Sequence, residues 1–322
     1  MKGNEFSVQS ARLRAAVYER IRAFFKSRDV LEVETPIMSR GISTDCHLDI
    51  FSTFFHPDGF SQTENSTPLF LQTSPELLMK RLLSDGFPDI YQLCKVFRNG
   101  EQGRIHNPEF TMLEWYRRDF TMSDFMNEVY ALCISVLGKK KSQFIRYENV
   151  FSTTTELNPL KSSFDELLSF CKKKGTDPVH CSSKTDLLNF MMSEYVEPAM
   201  DQDTLVFVHD FPREQAVFAR INPNDHRTAL RFELYHKGLE LCNGWEELAG
   251  ADCKEIQSRM ELENTLRAER GKPLLPVNDN FLDAAGMLPA CSGAALGVDR
   301  LVMVALGVRY IDGVLSFDFK NC

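Results

Sequence analysis

The chain has 322 residues, 43% hydrophobic and 25% charged, the balance of an ordinary globular protein rather than a disordered or fibrous one. A formal net charge of −8 leaves no overall basic footprint for nucleic acid. No window approaches ~18 uninterrupted apolar residues, and the opening MKGNEFSVQS lacks a signal-peptide core, so no membrane association and a cytoplasmic location are expected.

Residues 10–28 place Leu13, Val17, Ile21, Phe24 and Phe25 at helical spacing with basic residues between them. A short strand, VLEVETP (30–36), follows and is stopped by Pro36. Ser74-Pro75-Glu76 reads as the start of a helix over 76–84, with proline just inside it. Strands are predicted at IYQLCKVFR (90–98) and EFTMLEWYR (109–117), and a helix at 121–137. The stretch from about 138 to 200 loses strand signals and reads as an insertion of surface helices carrying less chemistry. Strand patterns return at 204–212, 231–242 and 293–298. Strands joined by hairpins, with helices grouped between them, predict an α+β domain: an antiparallel sheet with helices on one side. Neither GxGxxG nor GxxxxGK[ST] occurs, so the dinucleotide and P-loop sites have no support. The nine cysteines are scattered without a CxxC pair, which predicts reduced, mostly buried thiols.

The connection between Arg98 and Glu109 is longer than a hairpin requires and is bounded by charge. On the returning strand, alternation puts Phe110, Met112, Glu114 and Tyr116 on one face, as a buried hydrogen-bonded pair or as a pocket wall. In RFELYHKGLELC a two-residue turn at Lys237-Gly238 pairs Tyr235 with Glu240 and sets Glu233 diagonally across from Glu240. Two carboxylates so placed repel unless a cation such as Mg²⁺ lies between them; an edge hairpin with both in solvent fits the pattern equally well. Asn243-Gly244 reads as a second turn, with Glu246 in a solvated loop and Glu247 re-entering the fold. Arg300 falls in the first turn of a helix, against the dipole, where it needs a partner such as a phosphate oxygen; a surface Asp299–Arg300 pair is the simpler reading.

Three ordered stretches, LEVETPIMS (31–39), FRNGEQGRIHNPEF (97–110) and GAALGVDR (293–300), resemble motifs 1, 2 and 3 of the class II aminoacyl-tRNA synthetases. The connectors TSPELLMKRLL, HNPEFTMLEWY and GLELCNGWEEL are similar to the lysyl branch, and the likeness spans almost the whole chain. Only 35 residues precede Pro36, too few for the anticodon-binding OB barrel of lysyl-tRNA synthetases. The layout expected is therefore a single catalytic domain over 1–322, similar to the short paralogs that attach β-lysine to a lysine of translation elongation factor P.

That resemblance implies an ATP-dependent, Mg²⁺-using ligase, a homodimer formed through motif 1, with lysine or (R)-β-lysine, ATP and elongation factor P as partners and no tRNA. Residue by residue, it makes Arg98 and Arg300 the catalytic cations, Arg98 on the α-phosphate and substrate carboxylate and Arg300 on the distal phosphate. Asn99, Gly100, Asn107, Phe110, Glu240, Leu241 and Gly297 would complete the ATP site, with Phe110 stacked on adenine. Glu233 and Glu240 would carry the metal. Ser74, Pro75, Glu76, Glu114, Tyr116, Glu247 and Ala295 would form the amino-acid site, Glu76 at the backbone-side ammonium and Tyr116 with Glu247 at the ε-ammonium.

The chain departs from the pattern at three places. Gly100 stands where the family usually has Glu, which leaves Glu101 or the backbone with Phe110 to hold adenine. Ile105 replaces a residue that is often larger. Ala295 stands where lysyl-tRNA synthetases have Gly; a methyl there changes pocket depth by about one carbon, worth roughly 1–3 kcal/mol of discrimination, which fits a substrate whose amine sits one carbon away from α-lysine. Two rival readings are a shortened synthetase that charges tRNA with lysine and a non-catalytic amino-acid-binding regulator.

Overall fold

The computed structural model describes residues 6–57, 66–250 and 253–322. In chain order it contains α1 (Val8–Lys26), β1 (Leu31–Glu32), β2 (Met38–Ser39), β3 (Ser52–Phe55), β4 (Thr67–Leu71), α2 (Glu76–Ser84), β5 (Ile90–Phe97), β6 (Glu109–Arg118) and α3 (Met122–Leu137). Next come β7 (Lys141–Arg146), α4 (Tyr147–Thr155), α5 (Phe164–Lys173), α6 (Lys184–Met191), a π-turn at Met192–Val196 and α7 (Glu197–Ala199). The chain finishes with β8 (Thr204–Pro212), β9 (Thr228–His236), β10 (Leu239–Glu246), α8 (Cys253–Glu269), α9 (Asp279–Ala285), β11 (Cys291–Gly297) and α10 (Val298–Leu306).

Eight strands form one sheet in the order β1-β5-β6-β11-β10-β9-β8-β7, and β2-β4-β3 form a second. The six central strands are antiparallel, as expected, but each edge is closed by a parallel strand, β1 on β5 and β7 on β8. Only Leu31 and Glu32 of the predicted 30–36 strand pair with β5.

Period-two alternation sorts the central strands into a greasy face and a polar one. Leu113 and Trp115 of β6, Phe232 and Leu234 of β9, and Ala294 and Leu296 of β11 pack with Ile21 and Phe25 of α1, Phe125 and Val129 of α3, and Leu301 and Val302 of α10. The other face of the same strands carries Glu114, Tyr116 and Glu233, which line a cavity. α1, α3 and α10 cover the apolar face. The polar face is not bare, as the expected arrangement with helices on one side only would have it, but is ringed by α2, α6 and α8, which wall the cavity.

The region 138–200 differs from the expected all-helical insertion. KSQFIR forms β7, and α4, α5 and α6 build their own core around Val206 and Val208 of β8 and Tyr235 of β9. Val206 pairs with Tyr235, two residues from Glu233, so this layer sits on the cavity side of the sheet. It also supplies Ser183, Thr185 and Asn189 to the cavity wall, so it is no bystander.

Motif-like segments are locked together at the end of the sheet. Asp299, 2% exposed at its side chain, lies 2.5 Å from Arg14 of α1 and accepts from the Thr111 backbone N–H of β6 at 2.7 Å. Eight cysteines are free thiols, as the spacing predicts; the Cys253 side chain lies outside the described residues. Among the described residues no helix is long and apolar enough to cross a membrane.

Candidate active site

One cavity of about 730 Å³ opens on the polar face of the sheet. Arg98, from the end of β5, and Arg300, from the first turn of α10, both line it, although they lie on opposite sides of most of the sequence. Arg98 sits with its guanidinium 5.1 Å from the Phe110 ring centroid and 3.6 Å from Glu101. Arg300 donates to the Glu240 backbone carbonyl and to His106 Nε2, both at 2.7 Å. Burial and the neighbouring guanidinium hold His106 below the usual imidazole range, so its ring is neutral and accepts. Arg300 is thereby held rigid with part of its donor fork left over.

The β9–β10 hairpin supplies the acidic side. Lys237 and Gly238 both have positive φ, which is the two-residue turn predicted, and Glu240 pairs with Tyr235. Beyond Glu240 the register slips by one residue, so that Cys242 pairs with Leu234 and Asn243 with Glu233. Across this bulge Leu241 and Cys242 both join the core, Leu241 also reaching the cavity wall between Glu240 and Asn243. The predicted turn at Asn243-Gly244 does not exist: both residues lie inside β10. A Cβ on Gly244 would stand 2.6 Å from the Ala294 Cβ and 2.7 Å from the Gly293 carbonyl, so glycine is there for close strand packing. Glu246 ends the strand rather than sitting in a solvated loop, pairing with Arg220 at 2.8 Å.

Glu233 is enclosed. Arg231 donates to its Oε1 at 2.5 Å and Tyr235 donates to its Oε2. Burial pushes its carboxyl up, Arg231 pulls it down, and Glu240 pushes it up again. Glu197, from the insertion, is likewise pushed up to about 7 by burial and then by Glu240 and Glu233. Carboxylates that repel one another, each oxygen of Glu233 keeping a free lone pair, form a donor set that suits a hard divalent cation. The residues fit Mg²⁺.

At the other end of the cavity lies an acid–aromatic cage. Ser74 and Tyr116 each donate to Glu114 at 2.6 Å. Burial, and next Glu76, push Glu114 up to about 8. Lys80 reaches Glu76 and Glu247 at 2.6 Å each and is 2% exposed at its side chain. On β11, Gly293 and Ala295 pair with Tyr116 and Glu114 across the strand. A Cβ on Gly293 would lie 2.4 Å from the Tyr116 ring, so only glycine admits the ring at this distance.

The wall therefore gathers Ser74, Glu76, Arg98, Asn107, Phe110, Glu114, Tyr116, Glu233, Glu240, Leu241, Glu247, Ala295, Gly297 and Arg300 from the sequence expectations. It does not include Pro75, Asn99 or Gly100. Pro75 is buried at the head of α2, and Asn99 and Gly100 are exposed where Asn99 tethers the loop to the Asp49 carbonyl. Glu101, not Gly100, faces inward. Asn107 lines the cavity, but its side chain bonds to the Glu109 carbonyl and the Phe319 N–H. Arg231, His106, Asn243 and Trp245 on the wall, and Lys80 behind it, were not expected. Lys80 lies four residues after Glu76, and Arg231 two before Glu233, which are the spacings at which helix and strand neighbours meet.

The cavity on the sheet thus brings Arg98 and Arg300 together with the carboxylates of Glu76, Glu114, Glu233, Glu240 and Glu247. Residues 3–321 match the family model of tRNA synthetases class II (D, K and N), and the chain belongs to that family. Proteins of Salmonella schwarzengrund, Salmonella heidelberg and Salmonella agona named elongation factor P–(R)-β-lysine ligase are each 45% identical to it over 314 residues, covering 97% of this chain and 95% of theirs.

Proposed function

We propose that the chain activates (R)-β-lysine or lysine with ATP and transfers it to a lysine side chain of translation elongation factor P. The observation that carries this reading is that one cavity is lined both by Arg98 and Arg300 and by Glu76, Glu114 and Glu247. The 45% identity to elongation factor P–(R)-β-lysine ligases over nearly the full length supports it over tRNA charging and over a non-catalytic regulator, and the retention of both arginines speaks against the regulator.

In the first step a substrate carboxylate oxygen attacks the α-phosphorus, forming the adenylate while the bond to pyrophosphate breaks. Arg98 neutralises the carboxylate and the α-phosphate, and Arg300 the departing pyrophosphate, both as preplaced charges. Phe110 offers its ring to adenine, with Arg98 against it. Glu233 and Glu240 would hold Mg²⁺, which supplies charge neutralisation on the phosphates when bound. In the second step the acceptor amine, deprotonated from a reference pKa near ~10.4, attacks the adenylate carbonyl and AMP leaves. The same reading includes a cytoplasmic homodimer through the LEVETPIMS segment, supported by Leu31, Ile37 and Met38, which are 46%, 43% and 50% exposed. Intact-mass measurement of elongation factor P after incubation with enzyme, ATP and each lysine isomer is expected to show the gain of one lysyl residue; no gain with any isomer defeats the reading.

Two results follow from the amine cage. Glu114 carries a folded-state pKa of about 8 against an ordinary 4.5, so the fold holds its proton more tightly than the unfolded chain does. Its contribution to stability therefore falls as pH rises from about 4.5 to about 8 and is flat above that. A substrate ammonium selects the ionised form, so the KM for lysine falls as pH approaches 8, and Glu114→Gln removes that slope in a KM–pH profile. Ala295 pairs with Glu114 in the sheet, so its methyl limits the depth of the pocket beside that carboxylate. Ala295→Gly is expected to move the preference between β-lysine and α-lysine toward α-lysine by roughly 10-fold or more, read in pyrophosphate exchange.

A further inference from the structure

The acid–aromatic cage already contains an ammonium that belongs to the protein. Lys80 Nζ lies 2.6 Å from Glu76 Oε1 and 2.6 Å from Glu247 Oε2, with the rings of Phe218, Trp245 and Tyr116 at 5.0, 5.7 and 6.0 Å. Glu76 and Glu247 are on the cavity wall and Lys80 is not. The lysine stands behind the two carboxylates and touches nothing that enters the cavity. A cation buried this completely is costly unless paired, and here both partners are themselves 2% and 11% exposed at the side chain.

We propose that Lys80 is a positioning residue for diamine recognition: it ties one oxygen of Glu76 to one oxygen of Glu247, so that the remaining oxygens form two ammonium sites at a set separation. The inference rests on the proposed lysine-type substrate and says how that substrate is measured. Glu76 belongs to α2 and Glu247 follows β10, two elements with no covalent reason to keep a common spacing. Lys80 bridges them, and its stem is fixed because it rises from the same helix one turn after Glu76. Glu76, Glu114 and Glu247 place three carboxyls around the one cation of Lys80, and burial pushes Glu114 and Glu247 both up.

The test is pyrophosphate exchange by the full chain with a lysine isomer that the wild type uses, with ornithine, and with norleucine, which lacks the distal amine. In Lys80→Met, which keeps the straight side chain without the charge, the KM for the lysine isomer is expected to rise at least about 10-fold while the KM for ATP stays within about 2-fold, and the preference over norleucine to shrink by the same factor. Lys80→Arg, which keeps the charge, is expected to recover part of that preference. An unchanged KM in a folded Lys80→Met, or an equal loss with every substrate and with ATP, overturns the proposal. Should both variants fail to fold, the wild type still decides: it must discriminate against ornithine by about 10-fold or more, and equal use of the two overturns a set separation. Absence of wild-type exchange with every lysine isomer instead refutes the proposed function itself, a distinct result.

Discussion

Replacing Arg300 with alanine is expected to lower the rate of amino-acid-dependent pyrophosphate exchange by roughly 10²–10³-fold, the usual cost of removing one preplaced donor from developing charge. The side chain is held by the Glu240 carbonyl and by neutral His106, so little reorganisation precedes its use. Its position explains why a cation sits in the first turn of α10, where the helix dipole opposes it: the cavity, not the helix, needs the charge. Arg300→Lys is expected to recover only a small part of the rate, because an ammonium cannot hold the carbonyl, the imidazole and a phosphate oxygen in one planar fork. Thermal unfolding of the alanine variant should change far less than its rate. Retention of more than about a tenth of wild-type exchange would remove Arg300 from the chemistry.

The largest loss of stability is expected one residue earlier. Asp299→Ala strips the partner from Arg14, which also donates to Tyr18, Thr111 and the Val314 carbonyl, and leaves the Thr111 N–H unpaired. Breaking one side of a buried pair costs about 3–5 kcal/mol, because the remaining charge stays buried. That change is to be read as a lower denaturant midpoint at unchanged slope. Asp299→Asn, whose amide oxygen still accepts from Thr111, should cost less. A loss below about 1 kcal/mol in the alanine variant would mean that Arg14 finds water or another acceptor, and that the tie between α1, β6 and α10 is not what holds them.

Much of this site is legible in the residues because strand geometry is simple. Alternation alone puts Phe110, Met112, Glu114 and Tyr116 on one face, and the Lys237-Gly238 turn alone pairs Tyr235 with Glu240. What is hidden has physical causes. Asn-Gly is the strongest short turn signal, yet Gly244 is required by a backbone and an alanine methyl that come from β11, about fifty residues downstream. The bulge after Glu240 has no local signature, and it decides that Asn243 and Trp245 face inward. β7 is a short edge strand whose side chains are mostly exposed, so its six residues carry no apolar alternation to read. Lys80 is missed because lysine is almost never fully buried; only the fold brings Glu247 to it.

A crystal structure of the chain with a non-hydrolysable lysyl-adenylate analogue tests the central claim most directly. The account predicts the phosphate-mimicking group against the Arg98 guanidinium, the adenine ring on Phe110, and the distal ammonium among Glu114, Tyr116 and Glu247. An analogue bound elsewhere, or with its amino-acid arm turned away from those three side chains, would contradict it.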